Sequence, residues 1–326
     1  ATIEQWGQRV KSAAGKSANF ELAIKLQKLG GNGPIMANAM AAMGFPVTYI
    51  GALGYPELHP VFEELAERAT VHSICDPGMT DALEFEDGKL LLGKYEVINN
   101  VNPDRIDEVI GREAFSSIIA ESEFLGMVNW TMLVGTTAIW RRLIDEVLPA
   151  AKEPPMLFVD LADPEKRTVE DLRKALDLLS QMQKYARVVL GVNLRESVQV
   201  ARALCIEVTN EPSDVIEEMC CHIREQLDIF GVVIHPRETA AAALKFDGKV
   251  TSGFMVGTFT RTPRLSTGAG DNFNAGFCTG LLAGLGVDGA LSAGNSASGF
   301  YVRNARSASL AELADFMDDL PATEHE

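Results

Sequence analysis

The segment that decides the fold of this 326-residue chain is Ser266-Thr267-Gly268-Ala269-Gly270-Asp271-Asn272-Phe273-Asn274-Ala275-Gly276-Phe277. Small residues followed by an aspartate predict the start of a helix, which we expect to run to about Leu285. The first N–H groups of a helix lack intrahelical partners, and the helix dipole favours negative charge there. The Gly268-Ala269-Gly270 run lets an anion approach this backbone closely. The segment therefore predicts an anion site at a helix N-terminus.

Asp271 would lie on the first turn of this helix, beside the anion site. A phosphoryl group in transfer spreads negative charge over its oxygens. The N–H groups of Gly268, Ala269 and Gly270, which we call the anion cradle, would stabilise this charge while Asp271 accepts a proton from an attacking hydroxyl. For an isolated Gly-x-Gly-Asp, a simple helix cap would be the better interpretation. Here Gly276, Gly280 and Gly284 recur every four residues, and each costs ~1 kcal/mol in a helix relative to alanine. Close packing against a neighbouring helix would offset that cost.

A second cluster, Gly30-Gly31-Asn32-Gly33-Pro34, lies between an extended segment (Phe20 to Leu29) and a predicted helix (Ile35 to Gly44). Paired glycines at such a junction permit a hinge and the close approach of a ligand. Asn32 offers both a donor and an acceptor to sugar-type hydroxyls. Considered alone, the cluster is better explained as an ordinary loop with Asn32 as N-cap.

A third cluster, Asn193-Leu194-Arg195-Glu196, directly follows the apolar strand Val188 to Val192. Open α/β sheets place ligands beyond the carboxyl ends of their strands. Asn193 and Glu196 are three residues apart on one helix face and could hold a hydrated Mg²⁺ near phosphate. A capping box at a helix start explains the same pair equally well.

Strands and helices alternate along most of the chain. Strands are predicted at Val47 to Ile50, Val71 to Ile74, Phe124 to Asn129, Met156 to Leu161, Val188 to Val192 and Val232 to His235, with shorter ones to about Phe259. This alternation predicts an α/β fold, a mostly parallel sheet with helices on both faces. With no long linker or repeat, residues 1–326 are expected to form one domain.

Two segments do not fit the alternation. Asp81 to Phe85 and Lys89 to Gly93 predict a hairpin, because Glu86-Asp87-Gly88 between them carries an Asp-Gly turn signal. Together with the extended segment, this hairpin predicts a small β-sheet lid formed by residues 18–30 and 80–98. An exposed edge of the lid would favour a homodimer.

Composition argues against several classes of partner. Lys and Arg total 29 against 45 Asp and Glu, giving a net charge of -16, which opposes binding to nucleic acid or an anionic membrane. No apolar run approaches the ~20 residues that cross a bilayer, and residues 1–16 lack the apolar core of a signal peptide. The five cysteines are odd in number and form no CxxC pair, which favours reduced thiols in a cytoplasmic protein.

Taken in order, the three clusters resemble the ribokinase-like (PfkB) carbohydrate kinase family, over a span from about Gly30 to Ser309. The resemblance implies a Rossmann-like sheet with a β lid closing over the sugar. It also implies ATP-dependent phosphorylation of a hydroxyl on a sugar or nucleoside, with ATP and Mg²⁺ as cofactors. A non-catalytic sugar- or nucleoside-binding protein on the same fold is the alternative. A nicotinamide-dependent dehydrogenase is less favoured, because no GxGxxG follows a first strand.

The resemblance also implies roles for individual residues. Asp271 would be the catalytic base and Gly268, Ala269 and Gly270 the anion hole, while Gly30, Gly31 and Asn32 would contact the substrate. The residues that contact the nucleotide would be Asn193, Glu196, Asn295 in a C-terminal helix and Asn304 in the loop that follows. Glu196 would also bind the metal ion.

Four departures from the family pattern concern the substrate and the nucleotide. No strand ending in a substrate-binding Asp precedes Gly30, so either the sequence begins late or the substrate is held differently. Ile35 stands where an Asn that touches the sugar is common, and Leu265 stands where Asp is usual. His235-Pro236-Arg237-Glu238 replaces the glycine-bearing nucleotide turn.

Overall fold

The computed structural model of the chain describes residues 1–208 and 211–324. In chain order, the strands are β1 (Thr48–Ala52), β2 (Thr70–Cys75), β3 (Met79–Phe85), β4 (Gly88–Lys94), β5 (Phe124–Val128), β6 (Met156–Asp160), β7 (Arg187–Val192), β8 (Gly231–Ile234), β9 (Thr239–Phe246) and β10 (Lys249–Val256). The helices are α1 (Ile3–Ser12), α2 (Asn32–Ala42), α3 (Glu63–Ala66), α4 (Pro103–Val109), α5 (Arg112–Ala120), α6 (Thr136–Arg142), α7 (Val169–Met182), α8 (Leu194–Ala203), α9 (Ile216–Leu227), α10 (Ala269–Leu282), α11 (Gly286–Asn304) and α12 (Leu310–Asp318).

A six-stranded sheet with the order β10-β9-β8-β7-β6-β5 forms the centre of the molecule. Strands β5 to β8 are parallel, and β9 and β10 are antiparallel additions at one side. The apolar runs of β6 and β7 are explained by burial on both faces, as is usual in parallel sheets. The four parallel strands end at the same edge, so the residues that follow them are brought together.

Helices cover both faces of this sheet, which confirms the predicted α/β class. Alternate residues of a strand point to opposite faces. Leu157 and Val159 accordingly pack with the core that contains α6, α7, α8 and α9, whereas Phe158 packs with the core that contains α2, α10, α11 and α12. Trp130 and Trp140 are buried in the first of these cores.

Helices α10 and α11 pack at very short distance, which confirms the interpretation of the helical glycines. A Cβ on Gly276 would lie 2.4 Å from the Ala293 carbonyl oxygen, and one on Gly280 would lie 2.6 Å from Ala290 Cα. Gly284 has a different role from the one predicted. Helix α10 ends at Leu282 rather than Leu285, and Gly284 lies in the following turn with φ +72.

The predicted hairpin is present as β3 and β4, paired from Met79↔Lys94 to Phe85↔Gly88 in a separate two-stranded sheet. Residues 18–30 pair with no strand in the described part of the chain, so the hairpin alone makes up this small sheet. Helix α1 packs against the hairpin, with Trp6 6.0 Å from Phe85 and 4.7 Å from Phe20 between ring centroids.

Three further points complete the fold. Strands β1 and β2 form a parallel pair of their own and do not join the central sheet. The two strands expected to be short are the longest in the central sheet, since β9 and β10 each have 8 residues. No helix among the described residues has the length and apolar character needed to cross a membrane.

Candidate active site

Two helix N-termini meet at Asp271, the third residue of α10. Asn32, the first residue of α2, donates a 3.0 Å hydrogen bond from Nδ2 to Asp271 Oδ1. Gly31 is the N-cap of α2 with φ +88, and Gly268 is the N-cap of α10 with φ +102. Asn32 is therefore not the N-cap, and its side chain is directed across the gap between the helices. Both helix dipoles favour negative charge at this junction.

The Asp271 carboxyl is buried, with a relative exposure of 8%. Burial raises the pKa of Asp271 to about 7, and the neighbouring Glu196 acts in the same direction. The hydrogen bond from Asn32 and the charge of Lys28 oppose that rise. A carboxyl with a pKa near neutrality is well placed to take up and release a proton.

The backbone ahead of Asp271 presents free donors. Within the described chain, the N–H groups of Gly268 and Gly270 donate to no protein acceptor. The Ala269 N–H donates a 3.2 Å bond to the Ser266 carbonyl, which closes the turn before α10. A Cβ on Gly268 would lie 2.8 Å from Tyr301 Oη. Only glycine leaves the space beside this backbone open.

Lys28 and Tyr301 belong to the site but are not predicted by the sequence analysis. Lys28 Nζ and Tyr301 Oη both donate to the Thr267 carbonyl, at 3.3 Å and 2.8 Å. Lys28 is one of several polar residues in an extended segment, and Tyr301 lies among apolar residues of α11. Neither position carries a local pattern, because their proximity to Thr267 arises only from the tertiary fold.

Asn193 and Glu196 form the capping box that was the alternative interpretation. The Asn193 side chain accepts from the Glu196 N–H, and the Glu196 Oε2 accepts from the Asn193 N–H at 2.9 Å. The second oxygen, Oε1, accepts from the Asp163 N–H at 2.7 Å. Burial raises the pKa of Glu196, and the hydrogen bonds that its carboxyl accepts from the Asn193 and Asp163 N–H groups oppose that rise. The pair is thus fixed at the carboxyl end of β7.

Asp160, the last residue of β6, is a further buried carboxyl at this edge. Its Oδ2 accepts from Asn274 Nδ2 on α10, and its Oδ1 from the Ala162 N–H, both at 2.8 Å. Burial raises the pKa of Asp160 well above its ordinary value, and Glu196 and Asp271 add to the effect. An aspartate that ends a predicted central strand was a signal from which this residue could have been found.

Asn295 and Asn304, two of the residues predicted for the nucleotide side, do not share a face of α11. Asn295 is buried in α11, and within residues 1–208 and 211–324 its Nδ2 has no hydrogen-bond partner. Asn304 is exposed and is the last residue of α11, not part of the following loop as predicted; its Nδ2 donates to the Phe300 carbonyl. Asn295 and Asn304 are nine residues apart, and an α-helix turns by about 100° per residue, so their side chains lie on opposite faces of α11.

His235, the first residue of the segment that stands where the family has its glycine-bearing nucleotide turn, lies beside the anion cradle. His235 directly follows β8, stacks on Phe273 of α10 at 4.6 Å between centroids, and lies 3.4 Å from the position of a Cβ on Gly270. Burial lowers the pKa of His235 to about 4, so the ring is neutral at physiological pH. A neutral imidazole adds no charge to this side of the cradle.

The described chain contains no group of three or more His, Cys, Asp or Glu residues suited to bind a metal ion. Mg²⁺ often retains several waters and is held by one or two carboxylates together with substrate phosphates. Glu196, whose oxygens already accept backbone hydrogen bonds, fits that kind of water-mediated role. The chemistry available at the site is proton abstraction next to a backbone anion cradle.

Comparison with known proteins gives a consistent result. A model of the prokaryotic ketohexokinase family matches residues 1–320. A ketohexokinase from Haloferax volcanii is 28% identical over 318 residues, which cover 97% of this chain and 82% of that protein.

Solved structures with a similar fold include a ribokinase from Arabidopsis thaliana complexed with ribose and ATP. Its TM-score is 0.65 at 13% identity, covering 92% of both chains. A second is a putative ribokinase II from E. coli in complex with ATP and Mg²⁺, with a TM-score of 0.65 at 12% identity, covering 93% of this chain and 94% of that one. At these identities the structures show a shared fold.

Proposed function

The chain belongs to the prokaryotic ketohexokinase family and is a PfkB-type carbohydrate kinase, and we propose that it transfers the γ-phosphoryl group of ATP to a hydroxyl of a ketohexose. The observation that carries this proposal is the junction of two helix N-termini at which Asn32 contacts the buried Asp271. We infer the identity of the acceptor from the matched family and the Haloferax relative, and the position of the reaction centre from the geometry of the site.

Asp271 would act as the catalytic base. The acceptor hydroxyl is oriented by Asn32 and gives its proton to Asp271 as its oxygen bonds to phosphorus. The bond from phosphorus to the leaving oxygen of ADP breaks in the same displacement. The pKa of about 7 allows Asp271 to accept this proton and to release it to solvent after transfer.

The N–H groups of Gly268 and Gly270 would stabilise the negative charge on the migrating phosphoryl. The Ala269 N–H joins them only if it leaves the Ser266 carbonyl. Asn193 and Asn295 would contact the nucleotide. Asn295 Nδ2 has no hydrogen-bond partner among the described residues, which supports this role. Mg²⁺, held through waters near Glu196, would supply positive charge to the phosphates of the nucleotide.

The test is an assay of ADP formation with ATP and Mg²⁺ against ketohexoses, aldoses and nucleosides. Wild-type protein should release ADP with a ketohexose. Asp271→Ala should reduce turnover by roughly 10²–10⁴-fold while ATP binding survives. Asp288→Ala is a matched control, because Asp288 is likewise the third residue of its helix, α11, but is exposed. Unchanged turnover in Asp271→Ala would remove it from the role of base.

We also propose that the lid supports a homodimer. Large apolar side chains are exposed on the extended segment and on the hairpin, including Ile24 at 85% and Leu91 at 64%. Burying them against a second copy would remove this apolar surface and cover the hairpin edge. Light scattering should show that Ile24→Glu with Leu91→Glu shifts a dimer to a monomer. Leu310→Glu, an exposed leucine at the start of α12, is the control.

The reducing cytoplasm is the compartment we propose for the protein. All five cysteines are free, and Cys220 and Cys221 lie on α9 without forming a disulfide. Free thiols persist in a reducing environment.

A further inference from the structure

The Thr267 carbonyl, which belongs to the peptide immediately before Gly268, is held by two donors from distant parts of the chain. Tyr301 Oη approaches it from α11 at 2.8 Å, and Lys28 Nζ from the extended segment at 3.3 Å. A lone carbonyl near the surface needs no such arrangement, since water would satisfy it. The two donors therefore fix the orientation of one peptide plane.

That orientation matters because the peptide is planar and trans, so its C=O and N–H point in opposite directions. With the carbonyl directed at Tyr301 and Lys28, the Gly268 N–H is directed away from both. We propose that Tyr301 and Lys28 are positioning residues that aim the Gly268 N–H at the transferring phosphoryl group. This inference rests on the proposed kinase reaction and deepens it.

Gly268 would otherwise be the least constrained residue of the cradle. Its φ of +102 lies in a region that glycine enters freely, and its lack of a Cβ leaves the flanking peptides free to rotate. A misdirected donor loses most of its value, because hydrogen bonds weaken steeply with angle. Two donors on one carbonyl hold the plane more firmly than one.

The two donors differ in what they link to the cradle. Tyr301 is part of α11, which packs closely against α10, so its hydroxyl has a fixed position. Burial and the nearby Asp271 raise the pKa of Tyr301 to about 12, which keeps the hydroxyl protonated at neutral pH. Lys28 is half-buried and precedes Gly30 by two residues, so it connects the substrate-side segment to the anion cradle.

The experiment compares Tyr301→Phe and Lys28→Met with the matched controls Tyr185→Phe and Lys25→Met. Tyr185 packs against the core on the other side of the sheet, and Lys25 is exposed on the same extended segment as Lys28. Each site variant should lower kcat roughly 10-fold with the KM of the sugar unchanged, a smaller effect than the 10²–10³-fold of deleting a donor. Lys28→Arg should restore most of the loss.

A second readout is the affinity for a planar phosphoryl analogue, ADP with Mg²⁺ and aluminium fluoride, measured by calorimetry. In both site variants this affinity should fall in proportion to kcat, whereas the affinity for ADP with Mg²⁺ alone should not change. Equal weakening of both complexes would indicate a general structural defect and would overturn the inference.

The double variant Tyr301→Phe with Lys28→Met separates a shared role from independent ones. Because one remaining donor still restrains the carbonyl in part, whereas the double variant leaves it with neither, the double variant should lose more than the product of the two single losses. Simple multiplication of the losses would show that the residues act on different groups and would overturn the inference. If wild-type protein released no ADP with any sugar, the kinase proposal itself would fail, a result distinct from normal turnover in the variants.

Discussion

Asn32 Nδ2 lies 3.0 Å from Asp271 Oδ1, so the first residue of α2 contacts the proposed base across 239 positions of sequence. This hydrogen bond stabilises the ionised carboxylate and therefore lowers its pKa, in opposition to burial. The contact links the side of the site where the sugar is expected to the side where the phosphoryl group is expected. We propose that substrate position and proton acceptance are coupled through this contact.

We expect Asn32→Ala to shift the pH dependence of the reaction. In the wild type, kcat/KM should rise with pH to a plateau above about 7, because the base must be ionised. Loss of the hydrogen bond raises the pKa of Asp271, so the midpoint should move up by roughly 0.5–1 pH unit. Gln27→Ala, an exposed neighbour, should leave the midpoint in place. An unmoved midpoint in Asn32→Ala would contradict the proposed coupling.

Asp271→Asn should make the protein more stable at neutral pH although it removes activity. Below the ordinary pKa of 3.8, the carboxyl is protonated in both the folded and the unfolded chain. Between 3.8 and about 7 the unfolded chain loses the proton while the folded chain keeps it, so wild-type stability falls as pH rises. Asparagine has no such loss, so the gain in Tm should grow from pH 4 to 7 and then remain constant, at roughly 2–6 °C.

Calorimetric scans at a series of pH values measure this gain. Asp288→Asn, at the corresponding exposed position of α11, is the control for the general effect of replacing an aspartate in the first turn of a helix. A constant Tm difference for Asp271→Asn over the range in which the gain is expected to grow would mean that the folded and unfolded pKa values of Asp271 are similar.

Gly268→Ala tests the cradle itself, with Gly284→Ala as its matched control. Both glycines have positive φ, +102 and +72, so alanine is strained at either position. Only at Gly268 does the new Cβ meet a neighbour, Tyr301 Oη at 2.8 Å; nothing lies within 4 Å at Gly284. We expect Gly268→Ala to lower kcat by about 10²-fold or more. Gly284→Ala should retain wild-type kcat, and a similar loss in both variants would exclude a specific role for the cradle.

Much of the fold was predictable because its signals are local. Buried parallel strands appear as continuous apolar runs, and the Asp-Gly turn indicated the hairpin. The glycine and aspartate pattern around residues 266–277 indicated the start of α10 to within a few residues. These features are set by backbone conformation and burial, which a short window of sequence specifies well.

What escaped prediction depends on tertiary position. Lys28 and Tyr301 both reach the Thr267 carbonyl only through the tertiary fold, and no local pattern marks either residue. The capping box at Asn193 has the same spacing as the expected nucleotide motif, so the sequence alone left both interpretations open. Asn304 was assigned to a loop because helix ends depend on packing beyond the local residues.

Gly280→Ala and Gly7→Ala provide a last test, on the packing that supports the site. Alanine is the better helix former by about 0.5–1 kcal/mol, so Gly7→Ala in α1, where nothing lies within 4 Å, should stabilise the protein by about that amount. On Gly280 the Cβ would lie 2.6 Å from Ala290 Cα, and α10 would have to move away from α11. Because overpacking typically costs about 1–3 kcal/mol, Gly280→Ala should destabilise the protein despite its better propensity. Urea unfolding followed by circular dichroism distinguishes the two signs, and a stabilised Gly280→Ala would mean that the two helices are not in contact at this point.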